Sequence, residues 1–371
     1  MPDRRLRLTY ELRASSEEDA RRFARDLTIE QTVEIPEGCY SQEIEQSVVS
    51  RIEGLEARGE GTWELTASVS PAIIGGELGQ LLNVLFGNVS LFKGVRLTGV
   101  EWPEEILADL PGPTFGIEGL RELCAVARRP LLCTAVKPVG KTVEDLARDC
   151  QAFALGGADL IKDDHSLADQ ATAPFSERVA RCQEAVVEAN ARTGGNTLYL
   201  PNLPGDPARL VERLAWVRQI GCAGVMVSPM LYGLEATCHL ARARDLVMLG
   251  HPTFSGAFFD DDHGIARDVL CGQIYRLIGC DAVIYVNVGG RFAWTLEQCQ
   301  GVNRALREPL GSIRPAFPVP AGGVQAHEVE RHLERYGSDT MILIGGSLYQ
   351  QGDLERATAE LLGSLERATA R

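Results

Sequence analysis

Eight short apolar runs, all between residues 131 and 348, limit the possible folds of this chain more than any other feature. Helical segments such as "TVEDLARDCQAFALGG" and "FSERVARCQEAVVEANART" separate them. The runs are "LLCTAV" (131–136), "ADLIKD" (158–163), "TLYLPNL" (197–203), "GVMVSP" (224–229), "DLVMLGHP" (245–252), "AVIYVNV" (282–288), "FPVPAGG" (317–323) and "MILIGGSL" (341–348). Strands alternating with helices in this number predict a parallel (β/α)8 TIM barrel. A doubly wound open sheet is the alternative, but no GxGxxG motif follows the first strand.

The first 110 residues follow a different pattern. "RLTYELRA" and "GTWELTASVSP" alternate as strands do, and "SSEEDARRFARDLT" between them is typical of a capped amphipathic helix. The first dense Pro/Gly cluster, "LPGPTFG" at 110–116, indicates a boundary. We therefore predict an α/β protein with a small α+β, ferredoxin-like domain at residues 1–112 and a catalytic barrel at residues 113–371.

Charge and composition exclude several classes of protein. The formal net charge of −14 gives an acidic surface, which disfavours nucleic acid and anionic membranes as partners. No run approaches the roughly 18 apolar residues that a membrane span needs. The ten cysteines are scattered without a CxxC pair, as expected of free thiols in a reducing compartment. We expect a cytoplasmic protein.

Polar residues collect where the predicted barrel strands end, which is where barrel enzymes carry their chemistry. In "GGADLIKDDHSL" (156–167), alternate side chains share a face, so Lys162 and Asp164 point into the barrel and Asp163 points away. The residues that follow the eight strands are Lys137, Lys162, Asp163, Asp164, His165, Asn202, His251, Asn287, Arg291, Gly322, Gly323, Gly345 and Gly346.

Several of these segments resemble the RuBisCO superfamily, and more closely its non-carboxylating RuBisCO-like (form IV) members. The matching segments are "FGNVSLFKGVRL" (86–97), "GPTFGIEGLR" (112–121), "RPLLCTAVKPVGKT" (129–142), "GGADLIKDDH" (156–165), "PVPAGGV" (318–324) and "ILIGGS" (342–347). "IEQTVE" (29–34) is similar to the N-terminal segment that reaches a neighbouring subunit's site. The resemblance implies a head-to-tail homodimer in which Glu30, Thr32 and Asn88 of one subunit complete the barrel site of the other.

The resemblance also implies a metal site, which this sequence alters. In carboxylating relatives the lysine matching Lys162 is carbamylated and binds Mg2+ together with the aspartate at Asp164 and a glutamate. Here His165 stands in place of that glutamate, and imidazole is a poor Mg2+ ligand. Three alternatives remain: Mg2+ with fewer protein ligands, a softer ion, or Lys162 acting as an amine without metal. A structural Lys162–Asp164 ion pair is a fourth.

Two candidate phosphate sites differ in their residues. Gly322-Gly323 and Gly345-Gly346 follow strands 7 and 8, where backbone N–H groups of barrels often bind phosphate, although glycine pairs also occur in turns without a ligand. At the opposite site, the resemblance places Pro252, Ile284 and Ala321 where carboxylating relatives have phosphate-binding side chains. A sugar monophosphate is therefore a better candidate substrate than a bisphosphate.

The remaining site residues indicate proton transfer without CO2 fixation. The resemblance implies that Lys137 acts as acid or base near an enolising carbon, while His251 either moves a proton or is an ordinary core histidine. Val139 replaces a second lysine of the family. Arg291 stands where carboxylases have the lysine that stabilises the carboxylated intermediate, and its forked guanidinium suits an oxyanion.

The sequence therefore predicts an enolase or isomerase acting on a ketose monophosphate. By analogy with form IV relatives, methylthioribulose 1-phosphate in sulfur salvage is the leading substrate. A decarboxylase or transcarboxylase of a 3-oxo sugar-acid phosphate is the first alternative, because it shares the enolate intermediate. A non-catalytic regulator is the second. Lys137 with the two glycine pairs argues against the regulator, whereas His165 and Val139 are compatible with it.

Overall fold

The structure is a computed structural model, and it describes residues 5–325 and 328–370. Its β-strands are β1 (Leu6–Arg13), β2 (Arg51–Gly59), β3 (Thr62–Val69), β4 (Val95–Glu101), β5 (Leu131–Val136), β6 (Leu160–Asp163), β7 (Leu198–Leu200), β8 (Gly224–Val227), β9 (Val247–Gly250), β10 (Gly264–Ile265), β11 (Ala282–Val286), β12 (Phe317–Ala321) and β13 (Met341–Leu343). Its α-helices are α1 (Glu17–Glu30), α2 (Gln42–Ser47), α3 (Leu78–Phe86), α4 (Glu104–Ala108), α5 (Gly116–Cys124), α6 (Val143–Leu155), α7 (Phe175–Thr193), α8 (Pro207–Ile220), α9 (Pro229–Tyr232), α10 (Leu234–Ala241), α11 (Tyr275–Leu277), α12 (Leu296–Arg307), α13 (Val329–Tyr336), α14 (Gly346–Tyr349) and α15 (Leu354–Thr369).

The described residues divide into two compact units. The first contains the chain up to Leu110 together with Phe254–Leu270 and Leu310–Ile313, and the second contains the rest. The sequence did not indicate that two later segments belong with the N-terminal region. Both segments are short and mostly irregular. They therefore lack the periodic pattern that would have indicated their place in the fold.

The first unit is a five-stranded sheet in the order β10-β4-β1-β3-β2. β1 pairs antiparallel with β3 and β4, while the two-residue β10 pairs parallel with β4. Along β1 the residues Leu6, Leu8, Tyr10 and Leu12 are fully buried and the intervening residues are not, as the alternating sequence predicts. Helix α1 begins after Ser16, whose hydroxyl accepts the Asp19 N–H at 3.1 Å.

The second unit is an eight-stranded parallel barrel in the order β7-β6-β5-β13-β12-β11-β9-β8. A bridge between Asn202 and Met226 joins the β7 and β8 ends and closes the sheet. Each of the eight apolar runs contains one strand of this sheet, so the predicted TIM barrel is confirmed. Apolar side chains fill its interior, among them Leu131, Leu160, Leu200, Met226, Leu249, Ile284, Val319 and Met341.

The helices of the barrel follow the sequence pattern with one exception. α6 begins with a capping box between Thr142 and Asp145, and α7 spans the predicted segment from Phe175 to Thr193. Before β11, however, the helical segment is wound as a π-helix over Asp268–Ile274 and continues as the short α11. The alternation of strands and helices predicts a helical segment between these two strands, and apolar periodicity does not distinguish a π-helix from an α-helix.

The cysteines and the hydropathy of the helices follow the sequence-based expectations. All ten cysteines are free, and nine of them are buried, as expected of a protein without a disulfide framework. Among the described residues, no helix is both long and apolar enough to cross a membrane.

Candidate active site

The carboxyl ends of β5 and β6 bring a lysine and an aspartate together. Val136 of β5 lies opposite Asp163 of β6 in the parallel register, so Lys137 and Asp164 leave the sheet side by side. The Lys137 Nζ lies 3.0 Å from the Asp164 Oδ2, and the Lys137 side chain remains 36% exposed. A cation that a small molecule can reach is thus paired with a carboxylate at the mouth of the barrel.

Lys162 lies beneath this pair and is almost fully buried. Its residue exposure is 4%, and its Nζ donates to the Asp163 carbonyl oxygen at 3.0 Å. Burial lowers the pKa of Lys162, the nearby Cys133 and Asp164 oppose that effect, and Lys137 adds to it. A buried amine of this kind is shifted toward its neutral, nucleophilic form.

Asp163 points away from the barrel interior, as the strand alternation predicts. Its carboxylate is fully buried and accepts hydrogen bonds from the Arg178 Nε at 3.1 Å, the Tyr199 hydroxyl at 2.7 Å and the Asn202 N–H at 3.0 Å. These contacts tie β6 to α7 and to the end of β7. Asp163 is therefore a structural member of the "KDD" run.

Asp164 is held as a carboxylate. Burial alone would raise its pKa, but the hydrogen bond from the Ser166 N–H and the positive charges of Lys137 and Lys162 outweigh burial and lower the pKa to about 2. The group is consequently ionised throughout the physiological range. It can balance a cation or accept a hydrogen bond from a substrate.

Two histidines stack beside this carboxylate. The ring centroids of His165 and His251 lie 4.6 Å apart with planes at 16°, and the His165 Nδ1 lies 3.4 Å from the Asp164 Oδ1. Burial lowers the pKa of both rings. The Nδ1 of His251 accepts the Thr253 N–H at 3.2 Å, so a neutral His251 carries its proton on Nε2. The structure thus brings together Lys137, Lys162, Asp164, His165 and His251.

Asn202 stabilises the loop that carries these residues. Its Nδ2 donates to the carbonyl oxygens of His165 at 3.1 Å and Leu167 at 2.8 Å. Asn287 is similarly occupied, because its Oδ1 accepts the Tyr336 hydroxyl at 2.8 Å. Both side chains are buried. The structure therefore gives each of them a scaffold role at a strand end.

The glycine pairs lie at the ends of β12 and β13. Gly322 and Gly323 have φ angles of 91° and 71°, which favour glycine. A Cβ at Gly323 would lie 2.8 Å from the Gly290 Cα, so the loop after β11 packs directly on this turn. A Cβ at Gly345 would lie 3.5 Å from the Lys137 Cε. Gly346 begins the short α14.

Arg291 lies in the loop after β11 and is exposed. Within the described part of the chain its guanidinium has no ion-pair or hydrogen-bond partner. All of its N–H donors are therefore accessible to a ligand. No hydrogen bond or ion pair with the described residues fixes the position of the side chain at the loop surface.

Three apolar residues stand where the resemblance places a second phosphate site. Two of them also lie in apolar surroundings. Ile284 is 3% exposed and belongs to the apolar barrel interior, and Ala321 packs against the same cluster. Pro252 follows His251 and is partly exposed. None of the three offers a side-chain donor for a phosphate.

The three residues expected from a neighbouring subunit lie in the first unit. The Asn88 Nδ2 donates to the Glu30 Oε1 at 2.9 Å and lies 3.4 Å from the Glu34 Oε1. The Thr32 hydroxyl donates to the Thr28 carbonyl oxygen at 2.8 Å. Glu30 and Asn88 thus form one polar cluster within this unit.

The barrel mouth offers two side chains that could bind a metal. Among the described residues, no group of three His, Cys, Asp or Glu side chains is placed to hold a metal ion. Asp164 and His165 supply two donors, and Lys162 supplies none as an amine. A carbamate on Lys162 would add an oxygen donor of the kind that Mg2+ prefers, and the lowered pKa of Lys162 favours the neutral amine that reacts with CO2.

A hydrogen-bond network that no sequence motif indicates lies behind Lys137. The Lys137 N–H donates to the Tyr349 hydroxyl, which in turn donates to Asp149. Tyr349 stands four residues after Gly345, and Asp149 lies in the middle of α6. Neither position carries a motif, since the contact depends on two elements about 200 residues apart in the chain.

Comparisons with known proteins show which family this chain resembles. The family described as "Ribulose bisphosphate carboxylase large chain, catalytic domain" matches residues 116–360. A 5-methylthioribulose-1-phosphate isomerase of Rhodospirillum rubrum is 38% identical over 99% of this chain and 98% of its own. A 2,3-diketo-5-methylthiopentyl-1-phosphate enolase of Geobacillus kaustophilus is 34% identical over 75% of this chain and 68% of its own.

The solved structures include close matches to the whole fold. The crystal structure of a Rubisco-like protein from Rhodopseudomonas palustris superposes with a TM-score of 0.89 and is 36% identical, covering 98% of this chain and 97% of that one. Similarity of this extent includes both units and the strand ends that carry the site.

Proposed function

The chain belongs to the RuBisCO large-chain family, and from that premise we propose that it enolises and isomerises a ketose monophosphate without fixing CO2. The observation that carries the proposal is the Lys137–Asp164 pair at 3.0 Å at the mouth of the barrel, with the buried Lys162 beneath it. An enolisation needs a base beside a carbon acid and groups that stabilise the resulting negative charge. Lys137 of this pair supplies the base, and the Nε2–H of the neighbouring His251 can donate to the negative oxygen that develops.

We assign the proton transfer to Lys137 because a substrate can reach it. Its side chain is 36% exposed, whereas Lys162 is 4% exposed. In the proposed step Lys137 reacts as the free amine, after its ammonium proton has passed to solvent. The C–H bond next to the ketone then breaks, the free Nζ takes the proton, and the electron pair forms an enediolate. Return of the proton to the adjacent carbon, with transfer of the hydroxyl proton from one enediolate oxygen to the other, completes an isomerisation. As a neutral ring, His251 can donate its Nε2–H to a substrate oxygen.

The polarity of the strand ends sets the orientation of the substrate. We propose that the phosphate binds at Gly322-Gly323 and Gly345-Gly346, where the backbone can approach an anion closely. Gly345 adjoins the Lys137 side chain, so a phosphate there lies near the base. The opposite end meets Pro252 and Ala321, which suits an apolar tail such as a methylthio group. A second phosphate would be left without side-chain donors there.

A metal would complement these residues when Lys162 is carbamylated. Lys162 as its carbamate and Asp164 would then hold Mg2+ through oxygen donors, with His165 as a weaker third ligand, and the ion would stabilise negative charge on enolate oxygens. We expect chelation to abolish turnover, and Mg2+ supplied with bicarbonate to restore it. Full turnover in excess chelator would exclude the metal.

The relatives support the choice of substrate class. The R. rubrum protein is named an isomerase of 5-methylthioribulose 1-phosphate, and the match covers nearly the full length of both chains. The diketo substrate named for the G. kaustophilus enolase is the second candidate, because its enolisation requires the same base. A monophosphate with an apolar methylthio end is common to both names.

Product analysis by 1H and 31P NMR tests the proposal. Purified protein is given 5-methylthioribulose 1-phosphate, 2,3-diketo-5-methylthiopentyl 1-phosphate or ribulose 1,5-bisphosphate, each with and without Mg2+ and bicarbonate. We expect turnover of the first, none of the bisphosphate, and a loss of about 1,000-fold in the turnover of a folded Lys137→Ala variant, whose residual rate remains measurable. If neither monophosphate reacts, the proposed function is wrong. Turnover undiminished in Lys137→Ala would instead refute the assignment of the base.

A further inference from the structure

We propose that Tyr349 is a positioning residue for Lys137 and that Asp149 and Lys141 hold its hydroxyl in place. The inference rests on the proposed function in one respect, namely that Lys137 transfers the proton. It adds to that function a device that fixes the backbone from which the base extends.

The direction of the hydrogen bonds is fixed by the groups involved. The Lys137 backbone N–H can only donate, and it lies 3.1 Å from the Tyr349 hydroxyl oxygen. The single proton of that hydroxyl is then given to the Asp149 Oδ2 at 2.7 Å. Burial raises the pKa of Tyr349, so the phenol keeps the proton that this arrangement needs.

Lys141 closes the network from the other end of the loop. Its Nζ lies 2.5 Å from the Asp149 Oδ2 and 4.9 Å from the centre of the Tyr349 ring. The loop from Lys137 to Lys141 is therefore fixed at both ends by one tyrosine and one carboxylate. The ammonium also balances the charge of Asp149, which is only 9% exposed.

Tyr349 is itself held rigidly. Its ring meets that of Phe153 edge to face, with centroids 5.7 Å apart and planes at 86°. The same short segment passes Lys137 a second time, since a Cβ at Gly345 would lie 3.5 Å from the Lys137 Cε. The turn from β13 into α14 thus contacts both the backbone and the side chain of the proposed base.

Loss of the Tyr349 hydroxyl should leave the fold intact and displace Lys137 from its position. A displacement of about 1 Å at a reacting group can reduce the rate about 100-fold. We expect Tyr349→Phe to lower the turnover number at least about tenfold with little change in KM, since the substrate's own contacts remain. Tyr232→Phe is the matched control, because the Tyr232 hydroxyl likewise accepts a backbone N–H, that of Ser228 at 2.8 Å, after β8. Among the described residues it forms no hydrogen bond with Lys137.

A double-mutant cycle distinguishes positioning from a general structural effect. If Tyr349 acts through Lys137, then Tyr349→Phe has no further effect on residual activity in a Lys137→Ala background. A purely structural role would lower the residual activity of both backgrounds by the same factor and would lower the melting temperature. Equal losses in both backgrounds would overturn the inference.

A second measurement does not depend on any substrate. The rate at which acetic anhydride acetylates Lys137 is measured by peptide mass spectrometry, with an added lysine peptide as the standard. We expect Tyr349→Phe to change this rate at least about threefold, because a released loop alters the contact with Asp164, and Tyr232→Phe to leave it unchanged. An unchanged Lys137 rate in Tyr349→Phe would overturn the inference, even if the wild-type protein turned over neither monophosphate and the proposed function had failed.

Discussion

At the scale of single residues, the adjacent carboxylates Asp163 and Asp164 carry different tasks. Asp163 faces α7 and forms a fully buried ion pair with Arg178, whereas Asp164 faces the barrel mouth and Lys137. The strand alternation that separates them is a property of any β-strand. Two residues of identical chemistry therefore differ in function because of the face on which each lies.

Substitution of each aspartate by asparagine should separate these tasks. Asp163→Asn leaves the Arg178 charge uncompensated in the interior, so we expect the free energy of unfolding to fall by about 3–5 kcal/mol. Asp164→Asn removes a carboxylate that the fold stabilises at the barrel mouth, so we expect a smaller fall of about 1–2 kcal/mol and a loss of turnover of about 100-fold. Urea unfolding and steady-state kinetics check both. A stable but inactive Asp163→Asn variant would contradict the account.

At the scale of elements, helix α13 carries a buried histidine that makes the barrel sensitive to acid. His332 is 3% exposed, its ring lies 4.8 Å from that of Tyr336, and its Nε2 lacks a hydrogen-bond partner in the described structure. Burial, reinforced by Arg335, lowers its pKa from 6.5 to about 4. The folded protein therefore binds a proton at His332 only at a lower pH than the unfolded chain does.

The sign of the pH effect follows from that difference. Between pH 6.5 and about 4 the unfolded chain binds the proton and the folded protein does not, so stability is lost as the pH falls through this window. The loss attributable to His332 should reach about 3 kcal/mol at the lower end. His332→Leu should flatten the dependence of the unfolding free energy on pH across this window. An equal slope in wild type and variant would contradict the assignment.

The sequence predicts the barrel elements well and the contacts between distant elements poorly. All eight barrel strands, the α7 bounds and the direction of Asp163 follow from periodicity, because each depends only on neighbouring residues. The π-helix before β11 and the Tyr349–Asp149 contact do not. The first depends on local winding, and the second on two elements brought together by barrel closure.

Prediction of the site was likewise uneven. The structure brings Lys137, Asp164, His165 and His251 together at one end of the barrel, because carboxyl ends of parallel strands meet there. Their predicted roles stay predictions. Asn202, predicted to bind substrate, uses its amide hydrogens on the loop after β6. A polar residue at a strand end can face either a ligand or a loop, and the sequence alone does not distinguish these environments.

At the scale of the whole molecule, we propose a head-to-tail homodimer with shared sites. In the first unit the Asn88 Nδ2 donates to the Glu30 Oε1 at 2.9 Å. The family resemblance places both residues at a partner's barrel. Complementation tests this arrangement. Lys137→Ala and Asn88→Ala subunits should each be inactive alone, and co-expression should restore about a quarter of the wild-type activity, since half of randomly formed dimers carry one intact site of two.

Complementation also has a clear negative outcome. If each subunit builds its own site, mixed dimers contain no intact site and activity stays at the level of the single variants. A monomeric protein by light scattering would contradict the proposal directly. Asn83→Ala, at an exposed position in α3, serves as a control that should be active without a partner.

Solvent exchange shows whether Lys137 removes a proton next to a ketone. The protein is incubated with 5-methylthioribulose 1-phosphate in D2O, and deuterium in recovered substrate and product is measured by 1H NMR and mass spectrometry. The account predicts deuterium at the carbon next to the ketone for the wild-type protein and none above background for Lys137→Ala. Turnover by the wild-type protein without deuterium entry, or exchange undiminished in Lys137→Ala, would contradict it.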